Sequence, residues 1–205
     1  MFITLEGPEG SGKTSHIPPL VDYLRAQGHV VFPTREPGGT SIGEQIRDVI
    51  HDLKNTEMRP RTETLLYQAA RAQIVEQVIQ PRLKAGEIVI CDRYADSTIA
   101  YQGYGHQQNL DDVRALVKYA TGGLVPDLTI LLDVDVEVGL KRKHNDADWN
   151  RMDAQTIDFY RRVRAGYAEM VKQEPSRWRV VDAGADWQSV QEGLRAAMSN
   201  RLPAV

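Results

Sequence analysis

Phe2-Ile3-Thr4-Leu5-Glu6-Gly7-Pro8-Glu9-Gly10-Ser11-Gly12-Lys13-Thr14 decides the fold. A short apolar run passes directly into G-x-x-x-x-G-K-[ST], the sequence of a phosphate-binding loop between a strand and a helix. The glycines Gly7, Gly10 and Gly12 let successive backbone N–H groups turn inward. The helix that follows adds the partial positive charge of its N-terminus at the same spot. Lys13 is then placed for the β and γ phosphates of a nucleoside triphosphate, and the Thr14 hydroxyl for Mg²⁺. Pro18 and Pro19 fall in the second turn of that helix, which predicts a kink or irregular turn near Ser15-His16-Ile17.

Four further apolar runs lie outward from this one: Val30–Phe32, Ile88–Cys91, Leu128–Leu132 and Trp178–Val181. None alternates cleanly with polar residues, so each reads as a strand covered on both faces. Segments of helical spacing lie between them, including Leu65, Leu66, Ala69, Ala72, Ile74 and Val78, then Val113, Leu116, Val117 and Ala120. Trp187 to Leu202 reads as a closing helix. Strands alternating with helices predict a three-layer α/β P-loop NTPase fold, a five-stranded parallel sheet flanked by helices. The 205 residues suit one domain. The polar stretch from Lys141 to about residue 152 interrupts the helical pattern and reads equally as a small lid or as a solvated loop.

Composition narrows the function classes. A net charge of −3 argues against a nucleic-acid binder with a broad basic surface. No segment is apolar for long enough to suggest a membrane span. The single cysteine, Cys91, cannot form an internal disulfide framework, and the N-terminal residues lack the features of a secretory signal, so a cytoplasmic location is expected. The five histidines, His16, His29, His51, His106 and His144, have no metal-ligand spacing with it. Arginine outnumbers lysine 18 to 7, which fits either genomic base composition or a site that grips phosphates bidentately. No N-K-x-D element is present, so the loop is not read as part of a GTPase.

Two clusters at expected strand ends point to a second anion site: Arg35-Glu36-Pro37-Gly38-Gly39-Thr40, and Asp92-Arg93-Tyr94 with Ser97, Thr98, Tyr101 and Gln102 downstream. Ligands of open parallel sheets bind beyond the carboxyl ends of the strands. The competing reading is that Arg35–Glu36 and Asp92–Arg93 are surface ion pairs without function. Tyr67 and Arg71 share one face of the long helix.

Over nearly its whole length the chain resembles the bacterial thymidylate kinases. The resemblance rests on GPEGSGKT at 7–14, REPGGT at 35–40, LLYQAAR at 65–71, DRYADSTIAYQGYG at 92–105 and PDLTILLDV at 126–134. It implies phosphoryl transfer from MgATP to dTMP, with Gly7, Pro8, Glu9, Gly10, Ser11, Gly12, Lys13 and Thr14 on the donor phosphates and Arg142 near adenine. It also implies that Glu9 binds the acceptor's 3′-hydroxyl, that Arg47 and Arg93 hold its phosphate, and that Tyr67 stacks on thymine. Arg71, Thr98 and Gln102 are the implied base contacts, Glu36 joins the acceptor set, and Tyr101 excludes a ribose 2′-hydroxyl. Asp92 is the carboxylate near Mg²⁺, with Asp133 second in line. The loop itself carries no arginine, so the family's logic looks to the lid. There Arg151 is the arginine expected to reach the phosphoryl group, against a simple pair with Asp153. Members are usually homodimers. A lid that excludes water predicts low ATPase activity without dTMP. The alternatives are a kinase for another nucleoside monophosphate, a deoxynucleoside kinase, or a P-loop switch protein without turnover.

Overall fold

The computed structural model describes residues 1–144 and 150–203. The expected lid over 141–152 therefore lies partly outside the described residues, and its middle, 145–149, wholly so. Five strands form one all-parallel sheet: β1 (Phe2–Glu6), β2 (Val31–Arg35), β3 (Ile88–Asp92), β4 (Leu128–Asp133) and β5 (Trp178–Asp182), in the order β2-β3-β1-β4-β5. The register sets Leu5 beside Asp92 and Ile130, and Arg35 beside Asp92. The loop after β1 and the charged residues after β2 and β3 thus emerge at one edge of the sheet.

All five apolar runs are strands, but only the three central ones are sheathed on both faces. β1 and β3 are buried throughout, whereas β5 leaves Arg179, Val180 and Asp182 exposed. β2 and β5 are edges, so each is paired along one side only.

Helices pack on both sides: α1 (Lys13–Ala26), α2 (Ser41–His51), α3 (Pro60–Ile74), α4 (Gln80–Lys84), α5 (Ala95–Thr98), α6 (Leu110–Thr121), α7 (Val136–His144), α8 (Ile157–Gln173) and α9 (Trp187–Met198). α1 and α9 bury Leu20, Leu24, Val190 and Leu194 against Ile3, Leu5, Ile90 and Ile130. Each such side chain contributes about 1.5–3 kcal/mol of transfer free energy. On the other face, α8 packs against a π-helical segment, Ile99–Gly105, around Tyr101, Phe159, Tyr160 and Tyr167.

Three local expectations are corrected. α1 runs without a break through Pro18 and Pro19, so no irregular turn marks residues 15–17. The prolines deny donors to the Thr14 and Ser15 carbonyls, but Pro18 faces solvent and the packing face, Ile17, Leu20, Val21 and Leu24, stays intact. The closing helix stops at Met198 rather than Leu202. The long helix after Pro60 passes into a π-helical segment, Val75–Ile79, before α4. Its buried face is also mostly polar: Glu63, Thr64, Gln68 and Arg71 are buried together with Ala70 and Ile74, while Leu65 is half exposed.

Candidate active site

The loop of residues 7–12 crosses the carboxyl end of β1. Gly10, at φ +69°, passes so close to α7 that a Cβ there would overlap the Gly139 carbonyl. Gly12, at φ +83°, starts α1. Lys13 curls over the loop, its Nζ donating to the carbonyls of Gly7 (2.9 Å) and Pro8 (3.0 Å) and to Ser11 Oγ (3.0 Å). Burial, with Arg93 nearby, pushes the Lys13 ammonium down to about 8. Thr14 Oγ1 donates to Asp92 Oδ2 at 2.7 Å, and Asp92 Oδ1 is buried without a hydrogen-bond partner.

Arg93 follows β3 at φ +66°, a left-handed conformation that only a constrained non-glycine residue adopts. Its N–H bonds the Leu5 carbonyl at 2.9 Å, and this backbone turn aims the guanidinium back over the loop. There it donates to Glu9 Oε1 (2.7 Å), the Gly7 carbonyl (3.1 Å) and the Tyr101 hydroxyl (3.1 Å). Tyr101 in turn donates to Glu9 Oε1 at 3.0 Å. Burial raises the Glu9 carboxyl, but Arg93, Lys13 and Tyr101 together outweigh it, so Glu9 is held below the usual carboxylate range. Asp92 and Arg93 are therefore not a surface pair; each turns to a residue of the loop.

Arg35 and Glu36 do not pair either. Arg35 grips Glu44 through both terminal nitrogens (2.8 and 3.0 Å), while Glu36 is buried 2.7 Å from Arg71. Arg47, on α2, donates to the Pro37 carbonyl at 3.0 Å. Burial and the neighbouring Arg35 lower its pKa. Arg71 also donates to Gln68 Oε1 (3.0 Å), Thr98 Oγ1 (2.7 Å) and the Tyr94 carbonyl (2.9 Å), so its guanidinium is spread over four protein acceptors.

One cleft of about 700 Å³ runs through these groups. Its lining includes Tyr67, Arg71, Thr98 and Gln102, and Glu36, Arg47, Asp92, Arg93 and Tyr101. Residues 9–14 line it too. So do Arg142, His16 and Trp187, whose ring stacks on His16 with centroids 5.5 Å apart. Arg142 donates to the Ala183 carbonyl there at 2.8 Å. Gly7 and Pro8 contribute carbonyls to Lys13 from behind the wall.

Arg151 is not among the residues lining the cleft. It begins a 3₁₀ turn, Arg151–Ala154, and is buried, with Nε donating to the Ile50 carbonyl (2.8 Å) and NH2 to Glu63 Oε2. Asp153, the alternative partner, instead caps the Asn150 N–H at 2.8 Å and lies 3.8 Å from Lys143. Asp133, second in line to Asp92, pairs with Arg164 at 2.8 Å away from the cleft.

Sequence reasoning missed His16, Trp187 and Glu63. His16 and Trp187 are brought together by α1 and α9, and a lone aromatic at a helix start carries little signal. Glu63 sits three residues after Pro60 in α3, the usual place of an exposed helix-start carboxylate, yet it is buried.

Comparison with known proteins agrees with this geometry. The family model described as Thymidylate kinase matches residues 5–194. A protein named "Thymidylate kinase" from Herpetosiphon aurantiacus is 47% identical over 230 residues, covering 100% of this chain and 98% of the relative. Another of that name, from Deinococcus radiodurans, is 46% identical over 201 residues, covering 98% and 97%. The crystal structure of thymidylate kinase from Ehrlichia chaffeensis superposes with a TM-score of 0.78 at 34% identity, covering 97% of this chain and 98% of that one. A family model over residues 5–194 and relatives of 46–47% identity along the full length decide the point: the chain belongs to the thymidylate kinase family.

Proposed function

We propose that the protein transfers the γ-phosphoryl group of MgATP to the 5′-phosphate of dTMP, giving dTDP and ADP for dTTP synthesis. The observation that carries this reading is a single cleft in which the Lys13 loop faces Arg93 and Arg47 beside a pocket built from Tyr67, Arg71, Thr98 and Gln102.

The loop N–H groups and Lys13 bind the donor phosphates, and His16, Trp187 and Arg142 bound the part assigned to the donor base. Glu9, held anionic by Arg93, accepts the sugar 3′-hydroxyl, and Tyr101 beside it fills the place of a 2′-hydroxyl. Arg93 and Arg47 neutralise the acceptor phosphate as it meets a second anion. Glu36, itself on the cleft wall, fixes Arg71. Little covalent chemistry is asked of the side chains, because in-line transfer depends on alignment and on cations at the equatorial oxygens. The Thr14–Asp92 pair fits Mg²⁺: a hydroxyl beside a carboxylate with one uncommitted oxygen, with phosphates and water supplying the other ligands. Mg²⁺ held there would neutralise developing phosphate charge. Arg151 belongs to this machinery only by exchanging Glu63 and the Ile50 carbonyl for the phosphoryl group. A lid over 141–152, with Arg142 and Lys143 on the cleft wall, closes the site.

The reading includes a homodimer, for which the exposed Ile42 and Val49, seven residues apart on α2, offer apolar surface. Among the described residues no helix is long and apolar enough to cross a membrane, and the reading keeps the enzyme in the cytoplasm. The test is a panel of nucleoside monophosphates assayed with MgATP. ADP formation that requires dTMP is expected; turnover without it, or with another monophosphate alone, ends the proposal.

A further inference from the structure

Glu63 is 1% exposed and is approached by three side chains from two separate segments. Gln102 Nε2 in the π-helical segment lies 2.9 Å from Oε1, His106 Nε2 lies 3.1 Å from the same oxygen, and Arg151 donates to Oε2. Burial pushes this carboxyl up, and the three hydrogen bonds outweigh that, so it stays ionised and accepts only. A carboxylate cannot face an amide oxygen. Gln102 must therefore turn its NH₂ toward Glu63, which leaves its Oε1 without a hydrogen bond among the described residues, on a side chain that lines the cleft.

Thr98, one helical turn earlier on the same wall, is fixed with the opposite polarity. Both lone pairs of its hydroxyl are taken, by Arg71 NH1 at 2.7 Å and by Gln68 Nε2 at 3.1 Å. Only its hydrogen remains for a ligand. The wall therefore offers one donor from Thr98 beside one acceptor from Gln102, and neither can be inverted without leaving a buried group unpaired.

We propose that Glu63 is a specificity-positioning residue: by locking the amide of Gln102 as an acceptor next to the Thr98 donor, it makes the pocket read a pyrimidine imide edge, a ring N–H beside a carbonyl. This rests on the acceptor reading of the cleft given above. Thymine and uracil carry that edge, whereas cytosine presents its inverse, an amino group beside a bare ring nitrogen, and meets two mismatched contacts. A site built from committed hydrogen-bond partners rejects such an inverse far more strongly than an apolar pocket rejects a methyl group.

The test is the ratio of kcat/KM for dTMP to that for dCMP, measured with Glu63→Gln in the full-length protein. A glutamine there can offer an N–H to Gln102, so the Gln102 amide is free to turn over. The ratio is expected to fall about tenfold or more, through a raised KM for dTMP, with the KM for MgATP unchanged. A uniform loss on both nucleotides at constant ratio overturns the proposal, because that is what a structural role through Arg151 alone produces. Gln102→Met removes the acceptor while sparing the His106 and Arg151 contacts of Glu63. It is expected to lower the ratio likewise, and an unchanged ratio overturns the proposal even where Glu63→Gln does not fold. An unaltered protein that phosphorylates neither dTMP nor dUMP fails the reading of the cleft itself, an outcome distinct from either variant result.

Discussion

Thr14 and Asp92, 78 positions apart in the chain, are joined by a 2.7 Å hydrogen bond across the floor of the cleft. The other oxygen of Asp92 is buried without a hydrogen-bond partner, on a cleft wall that also carries Lys13 and Arg93. An oxygen left uncommitted in this way is open to a bound ligand.

Asp92→Asn keeps an acceptor for Thr14 and should leave the fold intact. It removes the charge. kcat is expected to fall about 10²-fold, in the range seen when one electrostatic contact to a transition state is lost. The Mg²⁺ concentration for half-maximal rate should rise. Titration of kcat against Mg²⁺ checks this, and a wild-type curve would place the cation elsewhere.

Arg47 donates to the Pro37 carbonyl and lines the cleft next to Arg93. Charge-assisted bonds of about 1.5–3 kcal/mol to a phosphate predict that Arg47→Ala raises the dissociation constant of dTMP about 10–100-fold. Thymidine carries no phosphate and should bind as before. Calorimetry with both ligands separates a phosphate clamp from a general distortion of the pocket, which would weaken both.

Arg151 and Glu63 form a buried pair, with side-chain exposures of 10% and 1%. Removing one partner of such a pair costs about 3–5 kcal/mol because the remaining charge is stranded. Arg151→Ala is therefore expected to lower Tm clearly. If the arginine also reaches the phosphoryl group during turnover, kcat drops about 10²-fold at a temperature where the variant is folded. A fall in Tm with kcat preserved assigns it to anchoring the turn after the lid.

Glu6 lies beneath the loop, accepting from the Tyr94 N–H at 2.8 Å, from Tyr167 at 2.8 Å and from Ser97. Burial, with Asp96 adding to it, raises this carboxyl from 4.5 to about 7. The folded state thus favours the protonated form. That stabilisation is complete below about pH 4.5 and is lost as pH rises through about 7. Glu6→Gln is neutral at every pH, and the Ser97 and Tyr167 hydroxyls can reverse to accept from its NH₂. The Tm of the variant relative to wild type should therefore climb between pH 5 and pH 8. A difference that does not change with pH would mean that Glu6 keeps its ordinary acidity.

How much of this was legible differs from element to element. The five strands could be read because a parallel sheet needs dense β-branched runs, and the loop because its glycines and Lys13 have fixed offsets. α3 reads less well. Its apolar residues suggest a core face, but Leu65 is half exposed, while Glu63, Gln68 and Arg71 are buried because each is bonded to a polar partner on another segment: Arg151, Thr98 and Glu36. Hydrophobic periodicity cannot find a helix whose buried side is a polar network. The arginines show the same limit. An arginine near the lid was evident in the sequence, but its partner lies 88 positions away on α3.

By itself the sequence determined the order of strands and helices, the phosphate loop and the residue types gathered at the strand ends, since these follow from local spacing and from what each side chain can bond. The tertiary structure alone decided the pairing: Arg93 with Glu9, Arg71 with Glu36, Arg151 with Glu63. Buried charges seek whichever opposite charge the fold brings within about 3 Å, and at that range geometry, not proximity along the chain, chooses the partner.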